Sequence, residues 1–250
     1  MPEPALALDR LRKAYGALVV TDEVDLAVTR GELHAIIGPN GAGKTSLIHQ
    51  VSGLVAPDGG RVLLHGRDVT RAPAHERARA GLARTFQITS VLPGFSALEN
   101  VALAVQARAG SSFRFFGAAA TEAALNRPAL ACLAVAGLEP RAHVLAGRLS
   151  HGEKRQLELA IALATQPKLL LLDEPLAGTG HEEGARLVTT LRRLKGEITM
   201  VLVEHDMEAV FALADRVTVL VYGRVIATDT PEAVRANPEV RAAYLGEETA

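Results

Sequence analysis

The segment Gly38-Pro39-Asn40-Gly41-Ala42-Gly43-Lys44-Thr45 fits the spacing G-x-x-x-x-G-K-S/T. Its chemistry follows from backbone geometry. Glycines let the chain wrap until successive N–H groups converge on phosphate oxygens, and a helix starting at Lys44 adds the positive end of its dipole. Lys44 brings a full charge to the terminal phosphates, and the Thr45 hydroxyl stands where a magnesium ion takes an oxygen ligand. Such a site also needs carboxylates. Leu169-Leu170-Leu171-Leu172-Asp173-Glu174 is an apolar run that ends in two. A parallel strand beside the loop would bring Asp173 to the magnesium shell and leave Glu174 to polarise an attacking water as general base. Taken alone, two acids after an apolar strand are an ordinary solvated strand end; the loop upstream makes them a candidate site. His205 follows a further apolar run, in Val203-Glu204-His205-Asp206. It is placed to contact a terminal phosphate or to hold the water and Glu174.

These groups need elements to position them. The run Leu33 to Ile37, apolar apart from His34, breaks at Gly38 and reads as a buried central strand feeding the loop. A helix is predicted from Thr45 to Val51, ending near Gly53. Val24, Leu26 and Val28 alternate with polar neighbours, as a half-buried strand does. Further strands are predicted at Arg61–Leu64, Ile198–Val203, Val217–Val221 and Arg224–Ala227, with helices at Ala74–Ala80 and from about Glu182 to Leu194. The middle of the chain is helical instead. Ser96 and Glu99 form a capping box before a helix to about Ala107. A second helix runs from about Ala118 to Ala136, interrupted near Pro128. A third starts after Ser150, with Leu157, Ile161 and Ala164 on one face and Lys154, Arg155 and Glu158 on another. The pattern is α/β at both ends with a helical block inserted into one core.

Composition narrows the partners. The 250 residues carry a net charge of −1, with 48% apolar and 22% charged residues. No basic stripe is present, which argues against a nucleic-acid partner. Cys132 is the only cysteine, so no internal disulfide forms, and a buried, inert thiol in a reducing compartment is expected. Met1 to Tyr15 shows no basic-then-apolar signal pattern. No apolar run approaches the ~20 residues that cross a bilayer. A soluble chain is expected, and any membrane work would need another subunit to supply the spans.

With these residues in view, the chain resembles the ABC ATPases. Leu149-Ser150-His151-Gly152-Glu153 resembles their signature segment, and Gln87, in Arg84-Thr85-Phe86-Gln87, resembles their Q-loop glutamine. His205 matches the switch histidine, and Tyr15 sits where the family carries an aromatic that stacks on adenine. Loop, Q-loop, signature, acidic strand and histidine come in the family's order over essentially the whole chain. The resemblance implies an α/β fold: a RecA-like P-loop NTPase core with an inserted α-helical subdomain and an antiparallel β subdomain. The core would take about residues 1–87 and 166–250, the helical signature subdomain about 88–165, and a C-terminal tail about 229–250. The resemblance implies ATP and Mg²⁺ as ligands. Tyr15, Gly38, Pro39, Asn40, Gly41, Ala42, Gly43, Lys44, Thr45 and Ser46 would hold the nucleotide. Thr45, Gln87 and Asp173 would stand at the metal, and Glu174, His205 and Gln87 at the chemistry. It further implies a head-to-tail homodimer, or a heterodimer with a second ABC ATPase, in which Ser150, Gly152 and Glu153 meet the partner's ATP. Ser150 and Glu153 read equally well as an ordinary capping box. Integral membrane permease subunits would be the direct partners, with a solute-binding protein reached through them. The place of work would be the cytoplasmic face of the plasma membrane.

Two positions depart from the family pattern. Glu153 replaces the commonest glutamine and brings a carboxylate near a phosphate site; turned back into the cap, it leaves activity intact. Gly180, in Pro175-Leu176-Ala177-Gly178-Thr179-Gly180, stands where most members carry an aspartate that serves communication across the dimer. Arg84-Thr85-Phe86-Gln87, the stretch Ala109 to Asn126 and the ending Asn237 to Gly246 resemble the ATPases of branched-chain amino-acid importers. The tail also resembles those of lipopolysaccharide export and urea uptake. Phe113, Phe115 and Phe116 crowd one loop of that stretch, either folded onto their own lobe or available to the membrane subunit or sister ATPase. No heptads, second cassette or Asn-Lys-x-Asp guanine reader appears. A stand-alone soluble ATPase is the remaining alternative class.

Overall fold

The computed structural model describes residues 3–85, 91–109 and 123–245. Gln87 and the Phe113, Phe115 and Phe116 cluster lie outside the described residues. The chain divides into two compact units: residues 1–82, 168–174 and 195–250, and residues 83–167 and 175–194.

The first unit is built on two sheets. One is antiparallel, in the order β2-β1-β4-β5, from β1 (Leu6–Tyr15), β2 (Leu18–Val28), β4 (Gly59–Leu64) and β5 (Arg67–Asp68). The other has the order β10-β9-β3-β8-β7-β6. It takes β3 (Leu33–Ile37), β6 (Leu82–Arg84), β7 (Leu169–Asp173), β8 (Thr199–Val203), β9 (Arg216–Val221) and β10 (Arg224–Asp229). Strand β3 lies parallel between β8 and β9, and β7 lies parallel to β8. All residues of β3, β7 and β8 are buried, which is why these strands read as largely apolar runs rather than alternating ones. His34 is the polar exception inside β3. Its ring lies 2.7 Å from Glu32 Oε1 and 2.7 Å from Thr218 Oγ1, so it is buried with both nitrogens paired. Strand β1 escapes the sequence reading for a physical reason. Leu6, Leu8 and Leu11 all face inward, but the register shifts between Leu8 and Leu11, where Arg10 takes φ 44°. The bulge breaks the period of two.

Helix α1 (Lys44–Ser52) follows β3, and α2 (Ala74–Arg79) supports its far end. The Arg77 guanidinium is buried and donates to Gln50 O at 2.6 Å and Val51 O at 2.8 Å, and also to Ala72 O and Thr70 O. A cation on the last carbonyls of a helix complements its dipole. Helices α7 (Met207–Leu213), α8 (Pro231–Ala236) and α9 (Pro238–Leu245) complete this unit. One core joins both sheets and α1, with Leu6, Val24, Leu47, Val62, Leu171 and Val201 among its members.

The second unit contains α3 (Ala97–Arg108), α4 (Ala123–Val135), α5 (His151–Ala164) and α6 (His181–Leu194). The first three share a core around Val101, Leu133, Leu157 and Ala160. Two sequence expectations need correction here. Pro128 does not interrupt α4. Leu125, Ala129 and Leu133 are buried at one-turn spacing across it, and that continuous face outweighs the hydrogen bond a proline removes. Arg155 and Glu158 do not form a solvated polar face on α5. Both are buried, paired at 3.0 Å, so their charges go inside as a couple rather than out to water.

Candidate functional site

Strand β3 delivers the glycine-rich loop, and close backbone approaches dictate where glycine is required. Gly38 has φ 154°, and a Cβ there would collide with Leu220 O; Gly43 has φ 100°, and a Cβ there would collide with Val20 O. No side chain fits at either position. Gly223 N–H donates to Ala42 O at 2.9 Å, tying the β9–β10 turn to the loop. Gly43 caps α1 without any side-chain hydrogen bond, so the first-turn N–H groups are directed by backbone alone. Lys44 is buried and folds over the loop, donating to Gly38 O at 2.5 Å and Pro39 O at 2.9 Å. Asn40, Gly41 and Thr45 are exposed, and Ser46 is half-buried.

Sheet register brings the acids level with this loop. Ile36 and Asp173 both pair with Val203, from opposite sides of β8. Asp173 therefore ends its strand at the height where β3 turns into Gly38, and it is 1% exposed. Glu174 comes next, with its N–H donating to Val203 O at 2.9 Å. Its φ is 48°, a left-handed conformation that costs a non-glycine residue roughly 1 kcal/mol or more. That turn aims the carboxylate at His205, whose Nε2 lies 2.9 Å from Glu174 Oε1. His205 is in turn fixed from behind: its backbone N–H donates at 2.9 Å to the buried Glu204 carboxylate. Asp206 caps α7 through Ala209 N–H. Tyr15 ends β1, 52% exposed, with Lys13 Nζ 5.3 Å from its ring centroid.

The arrangement suits a polyphosphate and a hard cation. Among the described residues, no cluster of three or more His, Cys, Asp or Glu side chains forms a ready-made metal site. A Mg²⁺ ion would instead share Thr45 and Asp173 with phosphate oxygens.

The signature residues lie in the second unit and form their own arrangement at the start of α5. Ser150 Oγ accepts from Glu153 N–H at 3.1 Å, and Glu153 Oε2 accepts from Ser150 N–H at 2.8 Å. Glu153 Oε1 meets Arg141 Nε at 2.9 Å. The departing carboxylate is thus turned back into the cap. Ser150 is exposed and Gly152 buried. The sequence reading assigns no role to two residues at these sites. Glu204 holds the His205 backbone, and Glu183 accepts from the Ser150 hydroxyl at 2.8 Å. Neither has a sequence signal: Glu182 and Glu183 look like any acidic first turn, here of α6.

Residues 21–177 match the ABC transporter family model, and residues 224–250 match that of the branched-chain amino acid ATP-binding cassette transporter. The chain is 35% identical over 254 residues to the high-affinity branched-chain amino acid transport ATP-binding protein BraF of Pseudomonas aeruginosa, covering 99% of this chain and 100% of that protein. It is similar to the ADP conformation of MJ1267, an ATP-binding cassette of an ABC transporter. That similarity has a TM-score of 0.85 at 28% identity, over 97% of this chain and 99% of that one. It is also similar to the dimeric post-hydrolysis state of the cassette MJ0796 bound to ADP and Pi, with a TM-score of 0.77 at 26% identity, over 90% and 98% of the two chains.

Proposed function

The chain belongs to the ABC transporter family, as an ATPase subunit homologous to branched-chain amino-acid transport ATP-binding proteins, and on that premise we propose that it powers uptake of branched-chain amino acids. The observation that carries the catalytic part is the register of β3, β8 and β7, which sets Asp173 and the Glu174–His205 pair level with the loop. Gly38 to Ser46 bind the phosphates, with Lys44 moving from the loop carbonyls to the terminal phosphates. Tyr15 stacks on the adenine. Thr45, Asp173 and Gln87 would hold Mg²⁺, which supplies charge neutralisation to the phosphates when bound. Glu174 takes the proton of the attacking water, and His205 orients Glu174 and contacts the γ-phosphate. Ser150, Gly152 and Glu153 of a second cassette close the site over the nucleotide. The second cassette is either another copy of this chain or a sister ATPase.

The same reading assigns about residues 1–87 and 166–250 to the core, about 88–165 to the signature-bearing subdomain and about 229–250 to the tail. No helix of the described residues is long and apolar enough to cross a membrane. By likeness to the transporter relatives, the work is proposed at the cytoplasmic face of the plasma membrane, on permease subunits that receive solute from a binding protein. The match of residues 224–250 to the branched-chain amino acid cassette model supports that solute class. Glu174→Gln tests both halves. Purified protein should keep nucleotide affinity and lose at least ~100-fold in turnover, because an amide cannot accept the water's proton. Cells carrying the variant should take up radiolabelled leucine at background level. Near-normal hydrolysis would remove Glu174 from its role, and normal leucine uptake with lost hydrolysis would remove the solute assignment.

A further inference from the structure

We propose that Glu183 gates the signature segment: its carboxylate holds the place a partner's terminal phosphate takes, and must leave before an ATP sandwich closes. The proposal rests on the reading of Ser150 and Gly152 given above. The Ser150 hydroxyl donates to Glu183 Oε1 at 2.8 Å, and Gly180 N–H reaches Glu183 Oε2 at 3.3 Å. A Cβ on Gly152 would collide with this carboxylate, so the space the bare glycine leaves open already holds an anion. The Ser150 hydroxyl, then the Gly180 N–H, keep the Glu183 carboxyl below the usual carboxylate range, and it is charged at neutral pH. A hydroxyl, a glycine without a side chain and the start of a fourteen-residue helix are groups that suit a phosphate. Two anions cannot share them. The departure at Gly180 fits the same picture, since a glycine there offers only an N–H and brings no second carboxylate to compete with Glu183 for Ser150.

A plain capping role for Glu183 would leave the same hydrogen bonds, so the test has to separate charge from geometry. Glu183→Gln keeps one oxygen that accepts from the Ser150 hydroxyl, gives up the longer contact with Gly180 N–H, and removes the negative charge. The readout is the ATP concentration giving half-maximal dimer by sedimentation velocity, in a Glu174→Gln background that blocks turnover. Freeing the signature should lower that concentration by about threefold or more, because a binding-competent state no longer has to be selected from a gated one. Affinity of the monomer for a fluorescent ADP analogue should not move. Glu183→Ala should shift the half-point in the same direction. An unchanged or raised half-point with Glu183→Gln, while Glu174→Gln alone dimerises, overturns the gate and leaves Glu183 a cap. Failure of the Glu174→Gln protein itself to associate with ATP overturns the reading of this signature as one closed by a second copy of the chain, and the gate with it.

Discussion

Glu153 shows how a residue that departs from its family can be harmless for a local reason. Its two carboxylate oxygens are engaged by Ser150 N–H and Arg141, so its charge is held within the cap. Glu153→Gln keeps an oxygen for Ser150 N–H and loses only a partly exposed ion pair, worth about 0–1 kcal/mol. Steady-state ATP turnover of the variant should stay within about threefold of wild type, an energy difference below about 1 kcal/mol. A tenfold gain would mean the carboxylate repels phosphate after all. At this scale the sequence is informative wherever residue type and spacing define a chemistry by themselves, as for Gly38 to Thr45, Asp173 and Glu174. It is silent where tertiary register makes the contact. The left-handed turn at Glu174 and the reach of Glu183 to Ser150, thirty-three residues earlier in the chain, depend on neighbours that no local pattern encodes.

Among the elements, β3 combines an apolar run with one buried polar network. Burial alone would raise the Glu32 carboxyl, but the hydrogen bonds from His34 and the Thr29 N–H outweigh it and hold the group below its ordinary value. A depressed folded value means that stability from Glu32 is fully present above its unfolded value, near ~4.3. It is lost as pH falls through the lower folded value. Glu32→Ala leaves His34 Nδ1 and Thr29 N–H without this acceptor and should cost about 2 kcal/mol at pH 7, lowering Tm by roughly 5 °C. Thermal melts should show the gap between variant and wild type closing below about pH 4; a gap constant to pH 3 would mean that packing, not the carboxylate, is at stake. The elements most legible in the sequence, β3, β7 and β8, are those buried on every side, where apolar content alone gives the answer. Strand β1 was hidden by its bulge. The unbroken α4 and the buried Arg155–Glu158 pair reversed local expectations because packing of the second unit decides them.

For the whole molecule the question is how its two groups of site residues cooperate. Lys44, Asp173, Glu174 and His205 lie in one compact unit, and Ser150, Gly152 and Glu153 in the other. Under the proposed function they meet across a dimer, the loop of one chain facing the signature of its neighbour, so a two-fold assembly has two equivalent composite sites. Complementation between disabled copies follows. Lys44→Ala removes the phosphate charge and leaves the signature intact. Ser150→Asp keeps a good N-cap, since aspartate caps helices as well as serine does, yet sets a negative charge where the partner's phosphate must come. Each variant alone should be inactive. In an equimolar mixture, half the dimers are mixed, and each mixed dimer pairs an intact loop with an intact signature at one of its two sites. The mixture should therefore recover about a quarter of wild-type turnover, provided the sites act independently. Recovery should grow with protein concentration, because association is part of the reaction. A mixture no more active than its components, at concentrations where wild type is dimeric by sedimentation, would mean that this chain does not form productive composite sites with its own copies.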